Sequence, residues 1–174
     1  HCLSSAASDV YKRQIKDCLI NKSTKINPVW LMRQAGRYLP EFKEIRKANP
    51  DFIKLCLNHN LAEEITLQPI KRFGFDAAII FSDILMIPHG MGQSVEFKKN
   101  FGPSLGALKL NELTNVSEKD LTDKLSPIYK LLSNLKNSND LKNRDLIGFV
   151  GAPWTLLVYM AVSYTHLTLP TTSS

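Results

Sequence analysis

Compact apolar runs alternate with amphipathic stretches along this chain. Val29–Met32, Phe75–Phe81 and Leu146–Val150 are short apolar runs, and the second is broken only by Asp76. Continuous apolar runs of this length are typical of strands that are covered on both faces, as in a parallel sheet. The pattern therefore predicts three buried strands.

Between these runs, apolar residues recur at helical spacing. Gly74 is placed to take the left-handed C-cap position of one helix, and Pro69 is expected to kink that helix or end it early. Ser117 with Asp120 three residues later has the spacing of a capping box. The predicted helical stretches are Ile15–Ile20, the segment after Pro40 with Leu39, Phe42 and Ile45, the segment from Asp51 to Asn58, the segment from Leu61 to Phe73, the stripe Leu121, Leu125, Ile128, Leu132 and Leu135 ending at Asn137–Asn139, and Trp154–Met160.

The segment Met86–Leu110 is less regular and contains four glycines. We predict a long loop with one short β-excursion at Val95–Phe97. Long loops that follow a strand are usually functional.

The alternation of buried strands with amphipathic helices predicts an α/β fold with a parallel sheet. Periodicity alone does not distinguish an open sheet from a closed barrel. No internal repeat is visible in the sequence.

Length and composition predict one soluble globular unit, because 44% of the residues are apolar and 22% are charged. No run is long and apolar enough to cross a bilayer. Cys2, Cys18 and Cys56 lack the spacing of a metal site, and an odd, scattered set is typical of a reducing cytoplasm. The net charge of +6 comes without a dense Lys/Arg tract, which favours an acidic small molecule over nucleic acid as the partner.

Polar side chains follow each predicted strand. They are Arg33 and Arg37 after the first strand, Ser82 and Asp83 after the second, and Thr155 and Tyr159 after the third. In a barrel, the carboxyl ends of the strands meet at one mouth. Arginine presents a planar fork that binds carboxylates bidentately, so the pair predicts a site for a ligand with several carboxylates or phosphates. The alternative is a helix start whose two arginines are solvated.

Three stretches resemble one known family. PVWLMRQAGRYLPEF at Pro28–Phe42, FDAAIIFSDIL at Phe75–Leu85 and IGFVGAPWTLLVYM at Ile147–Met160 are similar, in order and spacing, to signatures of the uroporphyrinogen decarboxylase family. The resemblance implies a (β/α)8 TIM barrel. Such barrels need roughly 250 residues, so only about the first half is expected here.

The resemblance also implies a reaction, in which the four acetate side chains of uroporphyrinogen III are decarboxylated stepwise to give coproporphyrinogen III. Protonation of a pyrrole carbon makes the ring an electron acceptor, so the family needs no metal or organic cofactor. The protein supplies a proton, binds the carboxylates and stabilises a cationic ring. A cytoplasmic homodimer that binds a tetrapyrrole, and neither nucleic acid nor membrane, is implied as well.

The roles implied by the resemblance fall on residues of the three stretches. Asp83 corresponds to the central aspartate that faces the pyrrole N–H groups, Arg33 and Arg37 to the carboxylate-binding arginines, one of them a proposed proton donor, Tyr159 to a tyrosine near the ring, and Gln34, Ala35 and Gly36 to the loop between the arginines. A serine or threonine and a histidine of the family come from the second half of the barrel.

Several residues have a structural alternative. Asp83 could cap the following helix, and Tyr159 could be a core tyrosine with a satisfied hydroxyl. Trp30 and Trp154 are expected to pack rather than to contact substrate. The two histidines His59 and His89 are expected on the surface or in loops.

Other functions are also compatible with a basic α/β chain. A non-catalytic module that binds a tetrapyrrole or another anion would differ in lacking turnover. A cobamide-linked methyltransferase relative would rely on His/Cys metal ligands and would lack the arginine pair. Nucleic-acid binding would depend on salt and is the weakest alternative.

The two ends do not resemble the family. SSAASDVYKRQ at Ser4–Gln14 and VSYTHLTLPTT at Val162–Thr172 resemble translations of one transposon-based sequencing adapter, read in opposite orientations. We therefore expect residues 1–14 to be a non-native leader, residues 15–161 to be the N-terminal part of the barrel and residues 162–174 to be a non-native tail. A half barrel leaves an open sheet edge, so instability is expected.

Overall fold

The structure is a computed structural model that describes residues 15–21, 27–32, 38–98, 102–108, 111 and 115–161. These residues form a mixed helix and strand fold. The helices are α1 (Ile15–Asn21), α2 (Pro40–Ala48), α3 (Phe52–Leu57), α4 (His59–Phe73), α5 (Met86–Gly90), α6 (Glu118–Asn137) and α7 (Pro153–Ala161), with a 3-10 turn at Asn139–Leu141. The strands are β1 (Ala77–Ile79), β2 (Val95–Lys98), β3 (Gly102–Leu105) and β4 (Asp145–Ile147).

The parallel sheet predicted from the sequence is present as the pair β1–β4. Ala77 lies opposite Asp145 and Ile79 opposite Ile147. Both strands have three residues and are shorter than their apolar runs. In the second run the chain leaves the ladder after Ile80, whose N–H donates to the carbonyl of Ile147 at 3.1 Å.

The predicted strand Val29–Met32 is wrong. Residues 27–31 have no regular structure, and the side chains of Val29 and Met32 are 55% and 77% exposed. Two hydrogen bonds do hold this segment beside β1. The Val29 N–H donates to Asp76 Oδ2 at 2.7 Å, and the Asp76 N–H donates to the Val29 carbonyl at 2.9 Å. One such pair aligns the segment but is too little for a ladder, and no described element covers its apolar side chains.

The cap signals are confirmed. The Asp51 carboxylate accepts the N–H of Lys54 at the start of α3, and Ser117 Oγ accepts the N–H of Asp120 at the start of α6. Asn58 ends α3 and its side chain also caps α4 by accepting the Leu61 N–H at 3.2 Å. Gly74 ends α4 in the left-handed conformation with φ of 67°. Pro69 does not end this helix early, because α4 runs on to Phe73.

Helix α6 packs on α4, as its stripe predicts. Leu125 and Leu135 of the stripe are buried, and Leu131, which the stripe omitted, is fully buried too. Asn134 Nδ2 donates to Glu63 Oε2 at 2.9 Å across the two helices. Of these two helices, α4 packs on β1.

The prediction of a long loop over Met86–Leu110 is wrong in part. Its beginning is helix α5, and its middle is the antiparallel pair β2–β3, with Val95 opposite Leu105. A Cβ added at Gly90 would lie 2.6 Å from Leu121 Cδ1, so this glycine lets α5 approach α6 closely. The helix has only five residues and includes Pro88, so it leaves too short a pattern for periodicity to detect.

A chain of aromatic rings connects these elements. Phe81, just after β1, contacts Phe42 of α2 and Phe52 of α3, with ring centroids 6.0 and 5.8 Å away. Phe52 also contacts Phe97 of β2 at 4.5 Å. Edge-to-face contacts of this kind add to the burial of each ring. No helix among the described residues is long and apolar enough to cross a membrane.

Candidate active site at the end of the parallel pair

The chain leaves β1 through a set of buried hydrogen bonds. After the last sheet bond at Ile80, the Phe81 N–H donates to Thr66 Oγ1 of α4 at 2.9 Å. Ser82 and Asp83 follow at once. The carboxylate of Asp83 thus lies just beyond the carboxyl end of a parallel strand, which is where catalytic groups of α/β enzymes lie.

Asp83 is partly buried and supports the turn into α5. Its Oδ1 accepts the N–H of Leu85 at 2.8 Å, and its carbonyl accepts the N–H of Met86 at 3.2 Å. The other carboxylate oxygen, Oδ2, has no hydrogen-bond partner within the described ranges. Burial raises the pKa of Asp83, and the bond from Leu85 opposes that rise. The carboxylate therefore supports the turn at Leu85 but does not cap α5, whose N-cap residue Leu85 receives no side-chain cap hydrogen bond within the described residues, so the cap alternative is wrong in that form.

The buried thiol of Cys56 is close enough to Asp83 to feel its charge. Burial raises the pKa of Cys56 to about 12, the negative charge of Asp83 adds to the rise, and Arg46 opposes it. A thiol with so high a pKa stays protonated at neutral pH and is a poor nucleophile. We therefore assign Cys56 to packing.

The loop after β4 meets the residue beside Asp83. A Cβ added at Gly151 would lie 3.2 Å from the Cβ of Ile84 and 2.7 Å from Leu156 Cδ2. A larger residue at position 151 would therefore require Leu156 and Ile84 to shift. The segments that follow β1 and β4 are therefore in contact at Ile84 and Gly151.

Tyr159 lies in helix α7, which follows β4 in the chain. Tyr159 is partly buried and packs against the core, and Thr155 is exposed. Trp154 is 74% exposed, so the prediction that it packs is wrong for the described residues, and Trp30 is 37% exposed. Trp154 and Val29 are exposed for the same reason: no described element packs over either side chain.

The arginine loop lies outside the described residues. It comprises Arg33, Gln34, Ala35, Gly36 and Arg37. In the sequence it lies between the segment held by Asp76 and Leu39, the buried N-cap residue of α2. The roles of these five residues stay predictions.

The comparisons with known proteins bear on this arrangement. A family model described as uroporphyrinogen decarboxylase (URO-D) matches residues 11–169. The chain belongs to the uroporphyrinogen decarboxylase family. The family resemblance read from the three sequence stretches is confirmed.

Curated relatives carry the same name. A uroporphyrinogen decarboxylase of Chelativorans sp. (strain BNC1) is 45% identical over 149 residues, which are 86% of this chain and 43% of the relative. That of Rickettsia felis is 47% identical over 148 residues, 85% of this chain and 42% of the relative. That of Agrobacterium fabrum is 43% identical over 153 residues, 88% of this chain and 44% of the relative. The chain spans less than half the length of these relatives, and a chain of their length that contains this sequence is called the full-length protein below.

The two central histidines of this family member lie in helices. His59 is the first residue of α4, and His89 lies in α5, so neither lies in a loop, and both side chains are partly exposed. Burial lowers the pKa of His89, the charge of Lys124 adds to this, and Asp51 opposes it. No group of three or more His, Cys, Asp or Glu side chains in the described part of the chain is arranged to hold a metal ion.

Gln93 is a buried residue that sequence reasoning missed. Its Nε2 donates to the carbonyl of Gly106 at 2.7 Å and to that of Met160 at 2.9 Å. Met160 follows Tyr159 near the end of α7, where helix carbonyls lack intrahelical partners. Gln93 therefore ties the end of the β2–β3 hairpin to the helix that carries Tyr159. A lone glutamine between Gly92 and Ser94 gives no periodic or motif signal that would have revealed this.

Replacing Gln93 by Leu should lower the free energy of unfolding of the full-length protein by about 1 kcal/mol. The carbonyls of Gly106 and Met160 lose their donor, but Gln93 Oε1 is itself buried without a hydrogen-bond partner among the described residues, so its removal offsets part of the loss. Gln93→Glu should be more destabilising, because a carboxylate would then face two carbonyl oxygens. Urea denaturation of both variants is the measurement, and equal stability of wild type and Gln93→Glu would contradict this prediction.

Asp83 should make stability depend on pH. Because its folded pKa lies above the ordinary value of 3.8, the folded protein binds more protons than the unfolded chain between the two values. The contribution of Asp83 to stability is then fully present below pH 3.8 and is lost as pH rises through the raised pKa. We expect Asp83→Asn to be more stable than wild type at neutral pH, with the difference shrinking on acidification. Urea denaturation from pH 4 to 7 tests this, and a pH-independent difference would exclude the carboxylate as its cause.

Proposed function

We propose that this chain is the first part of a uroporphyrinogen decarboxylase, a carboxy-lyase that converts the four acetate side chains of uroporphyrinogen III to methyl groups, giving coproporphyrinogen III. The observation that carries the proposal is family membership together with relatives of that name at 43–47% identity over 85–88% of this chain. The half-buried carboxylate of Asp83 at the end of β1 supports it.

The finer part of the fold proposal is a (β/α)8 barrel. The parallel pair β1–β4 supports two neighbouring barrel strands. Exposed Val29, Met32, Val150 and Trp154 would be covered by the remainder of the full-length protein. Closing the barrel would turn the open edge of this sheet into a paired one.

The proposed reaction replaces a carboxylate by a proton at each acetate. A proton adds to a pyrrole carbon, and the ring becomes cationic. The bond between the methylene carbon and the carboxylate then breaks, its electron pair moves into the ring system, and carbon dioxide leaves. A second proton adds to the methylene carbon to give the methyl group, and loss of the first proton restores the pyrrole.

Asp83 would stabilise the cationic ring in this scheme. Its carboxylate is partly desolvated, so it interacts more strongly with a nearby positive charge than a solvated one would. Oδ1 is held by the Leu85 N–H, which leaves Oδ2 to accept the pyrrole N–H groups. Such donors would offset the cost of burying the carboxylate.

The remaining roles concern binding. Arg33 and Arg37 would hold substrate carboxylates, one of them serving as proton donor, with Gln34, Ala35 and Gly36 forming the backbone between them. Tyr159 would lie beside the ring. We also propose a cytoplasmic homodimer that uses neither metal nor organic cofactor, because the protonated ring itself accepts the electrons, and that does not bind nucleic acid.

The test is anaerobic incubation of the full-length protein with uroporphyrinogen III, followed by chromatography of the oxidised porphyrins. We expect products with one to four fewer carboxylates to appear in sequence, and the Asp83→Asn variant to be a near-inactive control. Tight binding of uroporphyrinogen without release of carbon dioxide would instead indicate a non-catalytic binding module.

A further inference from the structure

The hydroxyl group of Thr66 joins helix α4 to the end of β1. Thr66 Oγ1 donates to the carbonyl of Ala62 at 2.7 Å and accepts the Phe81 N–H at 2.9 Å. Thr66 is 1% exposed. A threonine inside a helix often donates to the carbonyl four residues before it, and that bond engages only its own helix. Here the same oxygen also holds the backbone of another element.

We infer that Thr66 is a positioning residue for Asp83, which it serves by setting the path of the chain between β1 and the carboxylate. The inference rests on the proposed role of Asp83 in decarboxylation. Thr66 itself would not contact substrate and would act only through the backbone at Phe81.

The order of hydrogen bonds along this stretch carries the inference. The Ile80 N–H is held by β4, the Phe81 N–H by Thr66, and the Asp83 carboxylate by the Leu85 N–H. Thr66 is thus the anchor between the end of the ladder and the turn that contains Asp83. Consecutive Cα atoms are about 3.8 Å apart, so Phe81 and Asp83 are only two links apart and a rotation at one displaces the other.

The oxygen that forms this anchor is itself tightly held. Branching at Cβ restricts the side chain of threonine, and the bond to Ala62 selects the rotamer that directs the hydroxyl lone pairs. The ring of Phe81 makes its own edge-to-face contacts with Phe42 and Phe52, which do not depend on the hydroxyl group of Thr66. Loss of the hydroxyl should therefore redirect the backbone after Phe81 while the aromatic contacts keep the element in place.

Thr66→Val removes the hydroxyl and keeps the shape, and Thr66→Ser keeps the hydroxyl and removes the methyl group. The neighbouring Ile65→Val is the matched control, because Ile65 is also fully buried on α4 but contacts no hydrogen bond of this path. In the full-length protein we expect kcat of Thr66→Val to fall about five- to tenfold with KM within about twofold, as for a slightly misplaced catalytic group. Thr66→Ser and Ile65→Val should keep kcat near wild type.

A second measurement separates this inference from the proposed function. Nuclear magnetic resonance titration of the Asp83 side-chain carboxyl should show a shifted midpoint in Thr66→Val and an unshifted one in Ile65→Val. If the parent protein has no decarboxylase activity, the proposed function fails and this titration still decides on positioning. An unshifted Asp83 midpoint, or an equal kcat for Thr66→Val and Ile65→Val in an active parent, overturns the inference. Should Thr66→Val not fold, Thr66→Cys, with its weaker hydrogen bond, takes its place with the same expected directions.

Discussion

Asp83→Asn is expected to lower kcat of the full-length protein by at least about 10²-fold, the usual cost of removing one electrostatic stabiliser from an active site. The change keeps the shape of the side chain and removes its charge. It also places amide hydrogens where pyrrole N–H groups would donate. The interaction between the carboxylate and the ring grows as positive charge develops, so its loss should lower kcat more than it raises KM.

The same substitution separates catalysis from capping. The Asp83 Oδ1 accepts the Leu85 N–H, and the amide oxygen of asparagine can accept that bond as well. Asparagine and aspartate both form such turns with the backbone two residues on, so a purely structural Asp83 would tolerate the change. Near-normal turnover in Asp83→Asn would therefore assign the residue to the turn alone.

Two further variants sharpen this measurement. Asp83→Glu keeps the charge, displaces it by one methylene group and should retain more activity than the Asn variant. Asp76→Asn makes the same chemical change at the opposite end of β1, where the carboxylate accepts the Val29 N–H. Steady-state kinetics should show a large loss for Asp83→Asn alone, whereas equal losses at the two positions would mean that disruption of β1 is the cause.

Arg33→Lys and Arg37→Lys are each expected to reduce kcat/KM by about tenfold or more, although the positive charge is kept. Lysine is a point charge and cannot form the two parallel bonds that a guanidinium makes with a carboxylate. A hydrogen bond to a charged group contributes roughly 1.5–3 kcal/mol, which corresponds to this loss. The measurement is kinetics with uroporphyrinogen III.

A matched control for the arginines lies on the surface. Arg72 pairs with Glu41 there, and both side chains are substantially exposed. Exposed pairs of this kind contribute little, so Arg72→Lys should leave kcat/KM unchanged. Wild-type kinetics for Arg33→Lys and Arg37→Lys would mean that the two arginines are solvated residues at a helix start and do not bind substrate.

Features whose cause is local could be predicted from the sequence. The caps at Asp51 and Ser117 and the left-handed Gly74 depend on side chains or conformations within a few residues of each helix end. Such signals survive whatever the rest of the protein does. The apolar stripe of α6 could be predicted for a similar reason, because apolar residues recur at helical spacing over several turns of one long helix.

Features that depend on distant partners could not be predicted. Val29–Met32 has the composition of a buried strand, but a strand also needs neighbours that supply hydrogen bonds and cover. Thr66 and Gln93 are single polar residues whose partners lie 15 and 67 positions away in the chain. In the candidate site, the family resemblance points to Asp83, but the sequence does not predict its hydrogen bond with the Leu85 N–H.

Asn58 has a consequence for how this family can vary in length. The residue ends α3 through its own N–H, which donates to the Leu55 carbonyl, and caps α4 through its side chain, so no spacer separates the two helices. An insertion there would have to break one of these bonds and turn α3, with Cys56, away from α4, with Thr66. Insertions and deletions among homologues should therefore be rare at position 58, and where one occurs it should be accompanied by a new cap residue within the same few positions.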